Sequence, residues 1–66
     1  MSVARVTEII ASSTKGIEDA VEQGIAKASE TIQGIQGVWV KDTKAVVENN
    51  KVSEWRVTLM VTFIVK

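Results

Sequence analysis

Residues 51 to 65, KVSEWRVTLMVTFIV, alternate in a way that constrains the chain more than any other feature. Successive side chains of a strand point to opposite faces. Trp55, Val57, Leu59, Val61, Phe63 and Val65 therefore share one face, and Glu54, Arg56, Thr58, Met60, Thr62 and Ile64 share the other. The first set predicts the side that packs on a core. At 3.3 Å per residue such a strand reaches about 50 Å, whereas a compact chain of 66 residues has a radius of gyration of about 11 Å. The strand must curl round whatever it packs on, and its ends overhang any core that a chain this short builds.

The rest of the sequence supplies the neighbours of this strand. Residues 38 to 48 precede it across Glu48-Asn49-Asn50-Lys51, and asparagine tolerates the positive φ of a tight hairpin turn. Residues 3 to 11, VARVTEIIA, are rich in β-branched side chains and predict a further strand. Between these segments, Ile17, Ala20, Val21, Gly24, Ile25, Ala28 and Ile32 fall at the spacing of one helix face. Ser13 is the expected N-cap and Gly34 the expected stop, which gives a helix of about 19 residues and about 28 Å. Its other faces read as solvated, with Lys15 and Asp19 as an i,i+4 pair. The alternative there is a cation site at Glu18 and Glu22. Gly24 costs about 1 kcal/mol against alanine in mid-helix, so a close approach of the sheet backbone is expected beside it. The expected fold is α+β: β-α-β-β with a three-stranded antiparallel sheet wrapped round one helix, the last strand central and the first antiparallel on its far side. Residues 1–66 are expected to form a single domain.

Composition removes whole classes of function. Eight Lys plus Arg balance eight Asp plus Glu, so no basic field gathers nucleic acid. Histidine, cysteine and tyrosine are absent, which removes Ser-His and Cys-His nucleophiles, redox thiols and the usual zinc sites. Neither an enzyme nor a metal site is expected. No run approaches the roughly 18 apolar residues of a membrane span, and Arg5 and Glu8 interrupt the segment where a signal peptide would be apolar. A cytoplasmic protein without membrane partners is the expectation.

A partner of the same kind is expected instead. Met60 and Ile64 make the second face of the last strand partly apolar, and Val38, Trp39, Val40, Val46 and Val47 add to the strand before it. One helix covers only one face. The segment VTLMVTFIV, without proline or charge, aggregates if left on an open edge. Closure among identical copies hides it.

Taken together, VARVTEIIASSTKGIEDAV, ASETIQGIQGVWVKD and EWRVTLMVTFIV resemble, in order and spacing, the dodecins, small β-α-β-β flavin-binding proteins that assemble as hollow twelve-subunit spheres. The likeness runs from about residue 3 to residue 65. It implies a homododecamer that sequesters flavin, riboflavin or FMN, where subunits meet. In flavin-binding members a tryptophan near the start of the second strand stacks on the isoalloxazine ring, and that position is Gly37 here. A glutamine that follows an aromatic residue and bonds the pyrimidine edge falls on Arg56, after Trp55. The flavin-contacting set the resemblance implies is Gly37, Val38, Trp39 and Arg56. Trp39 either supplies a substitute aromatic surface or fills a subunit interface, and Trp55 reads as core. Arg56 either pairs with a flavin phosphate, donates to a ring carbonyl, or joins Glu54 or Asp42 of a neighbouring copy. Two functions stay open: flavin storage in the shell, and a shell that has lost flavin stacking at Gly37 and serves another small ligand or ion.

Overall fold

Asn49 and Asn50 take φ of 53° and 63°, the paired left-handed conformation of a two-residue hairpin turn whose twist matches that of the strands it joins. The turn joins the last two elements of a computed structural model that describes residues 3–65. In chain order these elements are β1 (Val3–Ser13), α1 (Ile17–Ala28), β2 (Ile35–Glu48) and β3 (Lys51–Val65). The sheet order is β1-β3-β2, and both pairings are antiparallel. The alternating strand is thus central, as its pattern predicts. Its pairing with β1 runs unbroken from Val3 opposite Val65 to Ser13 opposite Trp55. Its pairing with β2 slips between Ile35 and Gly37, between Val40 and Asp42, and between Val46 and Val47.

Helix α1 lies over β1 and β3. Val57, Leu59 and Val61 of β3 and Ala20 of α1 are buried to 1% exposure or less, with Ile9, Ala11, Val21, Ile25 and Ile35 packed around them. Removing each large apolar side chain from water in this way contributes about 1.5–3 kcal/mol. Gly24 admits the closest approach. A Cβ there would stand 2.8 Å from Leu59 Cδ1 and 3.1 Å from Ala11 Cβ. The close partners are side chains of the sheet, not its backbone as the sequence suggests.

The helix is also shorter than its apolar spacing predicts, at 12 residues. At its start the chain remains in β1 through Ser13, and Gly16 occupies the cap position without a side-chain cap. Ser13 Oγ instead accepts the Lys15 amide at 2.9 Å and donates to Asp19 Oδ2 at 2.5 Å. That bond, in place of the expected Lys15–Asp19 pair, ties the end of β1 to the first helical turn. At the other end the Ser29 hydroxyl donates to the Ala26 carbonyl, and the amides of Glu30 and Thr31 reach back only three residues. This tightens and ends the helix. Gly34, at φ 76°, lies beyond it and accepts the Ile64 amide at its carbonyl. It opens β2 rather than stopping α1.

Twelve helical residues span about 18 Å, against a molecular long axis of 51 Å. The sheet runs past its helix at both ends. The radius of gyration is 13.5 Å, above the roughly 11 Å of a compact chain of this length. The exposed area of 5004 Å² likewise exceeds the roughly 4,100 Å² of a compact monomer of this mass.

Candidate functional site

The face of the sheet away from α1 carries no covering element among the described residues. Strand pairing places Gly37 opposite Thr62 and Trp39 opposite Met60, so both belong to this open face. Arg56 lies on it too, between Ser12 of β1 and Lys44 of β2. Val38, opposite Val61, belongs to the helix side instead. Three of the four residues expected to contact flavin therefore share a face, but they do not converge. Gly37 and Arg56 are six β3 positions apart, about 20 Å along the strand. All three lie on one face of one sheet, so the chain offers a planar ring a wall on one side only.

The environment of each is open. Trp39 is 63% exposed, and Val6 and Ile10 on the same face are 53% and 73% exposed. A Cβ added at Gly37 would meet nothing within 4 Å, and its φ is not among the positive ones. Neither backbone conformation nor packing within the chain calls for glycine there. Arg56 Nε donates to Glu54 Oε2 of its own chain at 2.6 Å. The Lys41 ammonium reaches across β3 to Glu8 Oε2 at 3.3 Å, beside the Trp39–Met60 pair.

Sequence reasoning missed this cross-sheet tie. Lys41 is the extra residue at the slip between Val40 and Asp42, and a bulge re-aims the side chains that follow it. Little in the sequence signals it: Val38, Val40 and Val46 all keep even positions, and before the next break only Ala45 follows the shifted register.

Two grooves lie elsewhere. One, of about 620 Å³, runs past the start of α1 and is lined by Lys15, Gly16, Ile17 and the half-buried Trp55. The other, of about 700 Å³, separates β1 from α1 beside Ile9, Ala11, Gly24 and Ile32. Neither contains Gly37, Trp39 or Arg56. Among the described residues, no helix is long and apolar enough to cross a membrane.

One short helix on one side of an antiparallel β1-β3-β2 sheet, with a bare, aromatic-bearing surface on the other, defines a class of small β-α-β-β subunit. Its membership is specific: the chain belongs to the Dodecin family, whose model matches residues 3–66. Dodecins are a flavin-binding family. Solved structures agree. Dodecin from Streptomyces coelicolor is 28% identical with a TM-score of 0.94, over 98% of this chain and 93% of that one. Dodecin from Streptomyces davaonensis is likewise 28% identical with a TM-score of 0.94, over 98% and 96%. An arginine-to-alanine variant of Thermus thermophilus dodecin is 26% identical with a TM-score of 0.95, over 100% and 98%. No curated protein matches the sequence.

Proposed function

We propose that this protein is a flavin-sequestering shell: a homododecamer that holds riboflavin or FMN where its subunits meet. The observation that carries the reading is Trp39, 63% exposed on a sheet face that its own chain leaves bare. A flat aromatic surface in that setting gains about 0.5–1.5 kcal/mol by stacking on a second ring. The excess of exposed area over a compact monomer supports assembly. It is about 900 Å² per chain, close to the roughly 800 Å² that each partner contributes to a standard interface. A second copy also supplies the opposite wall that one flat face lacks. The role is binding and storage rather than catalysis.

Gly37 favours a second reading, a shell that serves another small ligand. The position where the family resemblance implies a stacking tryptophan has no side chain, and nothing in the fold requires that. Titration with riboflavin and with FMN, followed by flavin fluorescence, separates the two. Saturable quenching at a fixed ratio to protein supports storage, and unquenched fluorescence leaves only the second. Light scattering tests the assembly directly. A monomer mass at micromolar concentration overturns both readings.

A further inference from the structure

The helix side of the sheet has a bare end of its own. Strand β1 stops at Ser13, opposite Trp55, and the chain turns there into α1, which runs back over β1 and β3. The β2–β3 hairpin continues past that point. Ala45, opposite Trp55, and Val47, opposite Val52, alternate along β2 onto the helix side, but no helix reaches them. Val47 and Val52 are 61% and 46% exposed. Two bare valines beside the tip of a projecting hairpin make a convex apolar knob.

The matching concave surface is the groove of about 700 Å³ between β1 and α1. Half-buried Ile9, Ala11 and Ile32 give it apolar walls, and the exposed Lys27 and Glu30, paired at 3.4 Å, mark its rim. The knob carries the complementary charges. Glu48 and Lys51 are strand partners that flank the turn, and neither has an ion-pair partner among the described residues. The knob cannot reach the groove of its own chain: Lys27 lies in the last turn of a helix about 18 Å long, and the hairpin projects beyond the first. Face-to-face pairing of two open sheet surfaces is self-complementary and ends at two copies. A homododecamer therefore requires a further contact, between unlike patches.

We propose that the β2–β3 hairpin tip of one copy seats in the β1–α1 groove of the next, with Val47 and Val52 against Ile9 and Ile32, Glu48 facing Lys27 and Lys51 facing Glu30. The inference rests on the assembly proposed above and gives it a second contact surface, separate from the face that carries Trp39. The valines supply the burial. The charges fix orientation and register, since exposed ion pairs add little stability but repel wrong pairings. Each copy offers one tip and one groove, so successive copies follow one another head to tail, and a rotation that closes gives a ring.

The chain has no cysteine, so engineered thiols report this contact without background. Glu48→Cys and Lys27→Cys are placed together in the full chain. Within one copy their separation far exceeds the roughly 7 Å that a disulfide spans, so oxidation links only different copies. A ladder of linked chains on a non-reducing denaturing gel is expected from this double variant, and single chains from each variant alone. Lys51→Cys with Glu30→Cys repeats the test. Val47→Asp, exposed in its own chain, should keep the circular dichroism of the fold while raising the half-dissociation concentration of the assembly roughly tenfold or more by light scattering. Assembled double variants that give no ladder overturn the tip-in-groove contact while the shell stands. Links in a single variant also overturn it, because like patches would then be meeting. So does a Val47→Asp protein that assembles as tightly as the unsubstituted one. A monomer mass for the unsubstituted chain overturns both this contact and the shell.

Discussion

Two glycines compare the two sides of the sheet. A methyl group at Gly24 would collide with Leu59 and Ala11, whereas one at Gly37 would touch nothing. The first is favoured by the fold: a side chain there must push aside the tip of Leu59 and crowd Ala11. The second is dictated by nothing in its own chain, neither by backbone conformation nor by a neighbouring side chain. The helix side is a packed interior, and the opposite side is left bare by its own chain.

That contrast is open to experiment, each substitution being compared at one protein concentration because association shifts apparent stability. Leu59→Ala, at a position with 0% exposure, is expected to cost about 2–5 kcal/mol in urea unfolding. A loss below about 1 kcal/mol would show that the helix side is not the interior described. Gly24→Val should cost about 1–3 kcal/mol by overpacking, visible as a lowered melting temperature. Trp39→Ala should weaken flavin quenching several-fold, the equivalent of about 1 kcal/mol of stacking, and leave the unfolding midpoint of the helix-side core in place. Gly37→Trp should change stability by less than about 0.5 kcal/mol and strengthen quenching of bound flavin. A large destabilisation there would mean that a neighbouring subunit already fills the space. Smallest of all, Glu8→Gln removes the half-exposed pair with Lys41 and should cost at most about 0.5 kcal/mol.

What could be read from the sequence follows the same division. The alternation and the Asn49-Asn50 turn carry β3, its central place and its buried Val57, Leu59 and Val61, because strand periodicity and turn chemistry are local. Trp55 and Phe63, expected on the core side, are only half-buried, and Val65 is exposed beyond the end of the helix. The helix ends were not legible. Ile32 continues the apolar spacing, but the Ser29 hydroxyl competes for the backbone after Ala26, and Ser13 is retained by its pairing with Trp55. The slip at Lys41 was hardly legible, because only Ala45 follows the shifted register before the next break. The site was legible as residue types and as a shared face for Gly37, Trp39 and Arg56. It was not legible as a closed geometry, since one chain supplies a single wall.

Of the three breaks in the β2–β3 register, two place an extra residue in β2, Gln36 and Lys41, and one places Ser53 in β3. Strands β1 and β2 both have a free rim, which invites copies to join rim to rim into an endless ribbon. The two bulges in β2 twist and bend its rim, so it offers no straight template to another strand. An edge shaped in this way resists unlimited rim-to-rim growth, and two extra residues, Gln36 and Lys41, thereby guard the chain against fibre formation.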